Sequence, residues 1–204
     1  MRSHCYAQAV PRHADVEQQR AAIAQAVGDL LADGGVEAVS LRAVAAAAGV
    51  SMGRVQHYYR TKDDLLLDTL RRSHLEMERH TESKVSYPGA PIDILTAILE
   101  ELLGDHPASQ RAIRVSAAFA VRASKSPKVM AILTDGDDEI LALAVDVVRQ
   151  AQDAGVVPLE VDPRLEAKAL VALASGLGTS VALYGSSSDE ARATLHHQLR
   201  KYAP

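Results

Sequence analysis

The stretch LRAVAAAAGVSMGRVQHYYRTK, residues 41–62, decides how this chain is read. A short apolar-periodic run is followed by Gly49-Val50-Ser51 and then by a second short run. Two short helices joined by a tight glycine-containing turn make the helix-turn-helix pattern. Ser40 is placed to cap the first helix and Ser51 the second. Ala45 supplies the small side chain needed where the two helices cross closely. Gly49 follows the first helix, where a left-handed backbone is easiest for glycine. Val50 plugs the turn into the core, and Val55 and Tyr58, three apart, face inward. Met52, Gly53, Arg54, Gln56 and His57 are left on the outer face. That face holds no acid and offers an arginine and a glutamine, the side chains suited to guanine and adenine edges.

Working outward, Ile23, Ala26, Val27, Leu30 and Leu31 recur at the period of an amphipathic helix, predicted over 15–33. Asp15 can cap it and Gly34-Gly35 ends it. Residues 1–14 carry Pro11 and no sustained period, and read as a flexible arm. Downstream, Thr61 caps a fourth helix, 62–86, with Asp63 and Asp64 in the first turn, where the helix dipole favours negative charge. Its length, roughly 35 Å at about 1.5 Å per residue, suffices to tie one domain to another. The segment SYPGAP, 86–91, is the clearest break. Beyond it, 92–103, 107–124, 127–154, 162–184 and 187–202 each read as helical between Pro, Gly, Asp or Ser boundaries. The expected organisation is an arm (1–14), a helix-turn-helix domain (15–61) and a helical C-terminal domain (62–204).

Composition agrees with an all-α chain. Of 204 residues 48% are apolar, only seven are Phe or Tyr, and Trp is absent; good helix formers abound while aromatic strand formers are scarce. One cysteine, Cys5, cannot make an internal disulfide or a multi-cysteine zinc module. No 18-residue apolar run and no secretory leader are found, so a cytoplasmic protein without a membrane span is expected. The net charge is −4, but unevenly spread: residues 1–75 hold nine Lys and Arg against eight Asp and Glu, and residues 76–204 thirteen against eighteen. Residues 39–62 contain no acid, yet hold Arg42, Arg54, Arg60 and Lys62. A basic island on an acidic body is the footprint of a chain that touches phosphate with one end.

From about Arg20 to Leu67 the chain resembles the tetracycline-repressor (TetR/AcrR) family of transcriptional regulators. The resemblance rests on Ala21, Ile23 and Ala26, Gly35, Ser40-Leu41-Arg42, Val44-Ala45, Ala48-Gly49-Val50-Ser51, Gly53, Val55, His57-Tyr58-Tyr59, Lys62 and Leu65-Leu66. It implies a three-helix DNA-binding head joined by a long fourth helix to a C-terminal ligand-binding and dimerisation bundle. Each head of a homodimer then reads one half-site of a palindromic double-stranded DNA operator, and a small-molecule inducer moves helix four. A repressor is the expected sign of regulation. No cofactor or metal is implied, and no nucleophile–base set or phosphate loop suggests an enzyme. A rival reading is a helical protein-interaction module with a vestigial helix-turn-helix.

Base-contact candidates are Arg54 and Gln56, with Met52 and Gly53 beside them; phosphate candidates are Arg42, Ser51, His57, Tyr58 and Lys62. The resemblance places an inducer pocket among the middle helices, with His74, Met77, Glu78, Leu99, Leu103, Arg114, Ala117, Phe119 and Val121 as candidate lining. His74 and Glu78 have i, i+4 metal-ligand spacing but no third ligand. Relatives often carry tryptophans where this chain has IRVSAAFAV (113–121), so an aromatic cage for a cation is poorly supported; an apolar or amphipathic ligand with a carboxylate met by Arg114 is expected. Ala167, Val171, Ala174, Gly178 and Val181 form a small-residue stripe. In the resembled family the last two helices form the dimer bundle, so with Leu195, Leu199 and Tyr202 these residues are the expected dimer interface, small side chains permitting close helix approach; the alternative is that the stripe faces only its own core.

Overall fold

A computed structural model describes residues 12–84 and 89–202, with the backbone only of 12–15 and of Val121. Every regular element among the described residues is helical. The chain divides into two compact units, one ending at Thr69 and the other beginning at Leu70, inside the fourth helix.

The first unit contains α1 (Arg12–Ala38), α2 (Leu41–Ala47), α3 (Met52–Tyr58) and the start of α4 (Lys62–Lys84). α1 begins at Arg12, so Asp15 lies within it rather than capping it; residues 1–11 of the expected arm lie outside the described residues. α1 breaks at Gly35, whose backbone (φ 65°, ψ −166°) is not helical. Ser40 Oγ accepts from Ala43 N and Ser51 Oγ from Arg54 N, at 3.1 and 3.2 Å. Each such cap is worth about 1 kcal/mol, a large share of what a two-turn helix needs. Between them Gly49 takes φ 66°, a left-handed conformation that a side chain disfavours, and Val50 N bonds back to Ala45 O at 3.0 Å. Thr61 and Asp64 cap α4 reciprocally: Asp64 N donates to Thr61 Oγ1 at 3.0 Å and Thr61 N to Asp64 Oδ2 at 3.2 Å. Ile23, Val27, Leu31, Val44, Ala45, Val55, Tyr59, Leu65 and Leu66 are buried.

The second unit holds the rest of α4, then α5 (Pro91–Glu101), α6 (Pro107–Ala123), α7 (Pro127–Asp153), α8 (Pro163–Tyr184), α9 (Ser188–Leu199) and a closing 3-10 turn (Arg200–Tyr202). Proline opens α5 through α8, where its missing N–H costs nothing. The core draws Leu95, Leu99 and Leu103 near α5, Val147 and Val148 from α7, Leu170 and Ala174 from α8, and Leu195 from α9. One charge is buried with its partners: Glu101, on α5, receives Ser109 Oγ and Lys84 Nζ, the latter at 3.0 Å. A carboxylate removed from water persists only when so paired.

The small-residue stripe is largely taken up within the subunit. Ala167, Ala174, Leu195, Leu199 and Tyr202 lie in the subunit's own core, and Val171 and Val181 are half-buried against it. A Cβ added to Gly178 would stand 1.9 Å from the Leu102 carbonyl oxygen. The close approach that the stripe permits is to the end of α5 in the same chain. α8 is also long and apolar enough, at a mean hydropathy of 1.4, to cross a membrane by length and composition. Its inner face packs into the core just described. The remaining apolar character lies on its other side, where Leu165, Leu183 and Tyr184 are exposed.

Candidate functional site

The head presents two sets of side chains. Inward, Val55 is fully buried and anchors α3. The second inward side chain is Tyr59, buried at the end of α3, and not Tyr58 as the three-residue spacing suggested. Tyr59 adopts an extended backbone as the helix stops, which turns its ring back under the head. Its hydroxyl donates to Asp68 Oδ2 at 2.6 Å, Asp68 Oδ1 meets the Arg20 guanidinium at 3.3 Å, and that guanidinium stands 5.7 Å from the Tyr59 ring centre. Burial, reinforced by the bond to Asp68, pushes the Tyr59 hydroxyl up to about 12. α1, the end of α3 and the first turns of α4 are thereby fastened at one point.

Outward, Arg42, Ser51, Met52, Gly53, Arg54, Gln56, His57 and Lys62 are all exposed. Met52 leaves half its surface in water (50%), high for an apolar side chain. Ser51 Oγ is already engaged by Arg54 N. Two phosphate candidates have internal partners. Tyr58 is half-buried and donates its hydroxyl to Gln19 Oε1 at 2.9 Å, its ring edge-on to His57. Its proton is therefore committed to α1. Lys62 Nζ donates to the Val36 carbonyl at 3.0 Å, just past the Gly35 break in α1, and closes that turn. An ammonium has three protons, so two remain for an outside acceptor.

In the second unit, α4 through α8 enclose a cavity of about 640 Å³. His74, Met77 and Glu78 line it as expected. The other candidates do not. Leu99, Leu103 and Phe119 are fully buried in packed core. α6 turns Ile113 and Ser116 to the cavity instead of Arg114 and Ala117, one residue out of register. A one-residue step rotates a helix by about 100°, and the run IRVSAAFAV holds too few polar residues to fix its phase. The Val121 side chain lies outside the described residues. Val171, expected at the dimer interface, lines the cavity with Ser175 and Thr179.

His74 is held at the cavity wall by two neighbours. Its Nε2 is 2.9 Å from Ser116 Oγ, and its Nδ1 faces Gly136, where an added Cβ would come within 3.0 Å. Burial lowers its basicity, against the opposing pull of Asp137 and Glu139. The α7 contribution, which includes Asp135, Gly136, Asp137, Glu139 and Ile140, was not among the sequence candidates. Its signal was present: a glycine inside a helix, costing about 1 kcal/mol relative to alanine, usually has a packing reason. The Arg20–Tyr59–Asp68 link was missed as well, because its members are far apart in sequence.

Residues 91–204 match the C-terminal domain of BetI-type transcriptional repressors, and residues 23–69 match the tetR family of bacterial regulatory proteins. The chain is 25% identical over 168 residues to the HTH-type transcriptional regulator PksA of Bacillus subtilis, covering 82% of this chain and 80% of that protein. A solved transcriptional regulator from Rhodococcus sp. Rha1 is 31% identical, with a TM-score of 0.74 over 89% of this chain and 94% of that one. A regulator from Saccharomonospora viridis, solved in complex with choline, superposes with a TM-score of 0.82 at 22% identity, over 90% and 96% of the two chains.

Proposed function

The chain belongs to the TetR family of transcriptional regulators, and from that premise we propose that it is a homodimeric repressor released from a palindromic DNA operator by a small molecule. The observation that carries the DNA reading is the outer face of α3. Met52, Arg54, Gln56 and His57 are all exposed, within a run from 39 to 62 that contains no acid. A helix presenting Arg and Gln in this way suits the major groove. Arg42 and Lys62 flank it and supply the sequence-independent grip on phosphate. A vestigial helix-turn-helix has no need to keep this face clear of carboxylates.

The effector site is the body cavity, whose volume falls in the range of drug-sized ligand sites, about 300–1,000 Å³. The choline complex of the S. viridis regulator supports a small-molecule occupant. α4 contributes His74, Met77 and Glu78 to the lining, so an occupant presses on the helix whose first turn is fastened into the head. The dimer forms through the face of α8 that the subunit leaves uncovered. It runs through Leu165, Ala169, Ala172, Gly176 and Leu183, all exposed.

The test is Arg54→Ala in a random-site selection with salt titration. Preference should relax at one symmetric pair of positions, by about 1–3 kcal/mol, with the salt dependence nearly intact. Equal weakening on every sequence, with a flatter salt slope, would reduce Arg54 to a phosphate clamp and move base reading to Gln56.

A further inference from the structure

We propose that the body cavity takes a protonated amine carried on an apolar body, and that carboxylates rather than aromatic rings recognise its charge. The inference rests on the ligand-responsive reading above and names the chemical class of the ligand for that site.

The floor and the mouth of the cavity differ. Ile98 and Leu102 are buried at its base, with Ile113 and Ile140 half-buried beside them. These surfaces reward an apolar occupant in proportion to the area it covers. On the open side stand five carboxylates, Glu78 and Glu82 from α4 and Asp135, Asp137 and Glu139 from α7, all exposed, against a single guanidinium, Arg71. His74 does not redress the balance, because burial keeps its ring neutral near pH 7. Although Asp137 is exposed as a residue, partial desolvation of its carboxyl holds it above its ordinary range, with His74 pulling the other way. A positive charge placed beside it would relieve that penalty. An anionic ligand would have to overcome the repulsion of five acids to reach one arginine. The Arg114 guanidinium, which a carboxylate ligand was expected to meet, does not line the cavity.

The kind of cation follows from what is missing on the lining. Among the described residues no Phe, Tyr or Trp borders the cavity, and the chain's one Phe is locked in the core. Quaternary ammonium groups have no N–H and draw their recognition from aromatic faces. Carboxylates accept charge-assisted hydrogen bonds, which only an N–H-bearing cation donates. Choline itself would leave most of about 640 Å³ unfilled, so the apolar body is larger than its two-carbon arm.

Calorimetric titration of the full chain with octylammonium, octyltrimethylammonium, octanoate and octanol tests this, since the four share one chain and differ in headgroup. Octylammonium should bind about tenfold or more tighter than octanoate, and tighter than octyltrimethylammonium. The paired variant Glu78→Gln, Asp137→Asn should weaken octylammonium about tenfold and leave octanol unchanged. These substitutions replace exposed carboxylates by their amides, and Glu139→Gln alone gives a milder version of the same comparison. Equal or tighter binding of octanoate, a trimethylammonium preference, unchanged amine affinity in the paired variant, or no binding of any probe at millimolar concentration each overturns the proposal. No DNA is present, so the outcome is independent of operator binding. A chain that binds octylammonium and no DNA would sink the regulator reading alone.

Discussion

Tyr59 is the residue on which the head's geometry turns, since its hydroxyl closes the link between α1, α3 and α4 through Asp68 and Arg20. Its proton is held to about 12, first by burial and then by the bond to Asp68. The unfolded chain releases that proton near pH 10. Between those values the folded chain binds the proton and the unfolded chain does not, so stability falls as pH rises. The contribution is complete below about pH 10 and is lost by about pH 12. Tyr59→Phe should therefore cost about 1–2 kcal/mol at pH 8 and flatten the alkaline loss. Urea midpoints by circular dichroism at pH 8 and 11 check this, and identical alkaline losses in both proteins would remove the role. Lys62 carries a second expectation. One proton holds the Val36 carbonyl and two stay free, so Lys62→Ala should weaken binding to all DNA sequences alike and lower the salt slope by about one per subunit. An unchanged slope would confine Lys62 to closing the turn. The exposed face of α3 was legible in sequence because helix-turn-helix spacing assigns it directly. Tyr58 and Tyr59 were not separable, since periodicity runs on past a helix end while the backbone at Tyr59 turns extended.

At the scale of elements, punctuation was more informative than periodicity. Ser40 and Ser51 cap where the sequence placed them, Ser126, Asp162 and Ser187 cap at boundaries read only as breaks, and the prolines that follow 106, 126 and 162 open helices. Caps are local chemistry between neighbours in the chain, and so they survive any tertiary context. The faces of α6 and α8 were not legible for the opposite reason. α8 carries Ala or Gly at 167, 169, 172, 174, 176, 178 and 182, on more than one side, so its pattern does not say which side meets the core. The structure separates them. Gly178 lies against the Leu102 backbone, while Gly176 has open space where its Cβ would be. Gly178→Ala should consequently destabilise the subunit, by about 1–3 kcal/mol or more, because a backbone carbonyl cannot move aside as a flexible side chain can. Gly176→Ala should be neutral or slightly stabilising, since alanine is the better helix former. Thermal melts of the two variants decide the matter, and a Gly178→Ala protein as stable as the parent would contradict the close crossing.

At the scale of the whole molecule, the two units ask different things of the sequence. The outer face of the head lies within one stretch, 41–62, and was readable from it, although the bonds that fasten the head reach from Gln19 and Arg20 to Tyr58 and Asp68. The cavity gathers side chains from Arg71 to Thr179, and no local pattern announces which of them converge. Assembly lies beyond both, because it depends on what one subunit fails to cover. Leu165 and Tyr184 leave 67% and 77% of their surfaces in water, at opposite ends of a helix whose outer face between them is mostly Ala and Gly. On the proposed dimer reading these large ends would be covered by the second copy, and the small residues between them would allow two such helices to approach closely. Ala172 sits near the middle of this face and is exposed in the single subunit. Ala172→Arg should leave the subunit folded, because the outer face bears on nothing within it. A second copy, however, would bring two guanidiniums into a dry crossing, where removing charge from water costs several kcal/mol per ion. Sedimentation should then show a folded monomer with a normal helical spectrum. It should lose operator affinity as well, because the two half-sites are no longer read together. A variant that stays dimeric would move the interface off this face. One that unfolds would mean that Ala172 is covered from within.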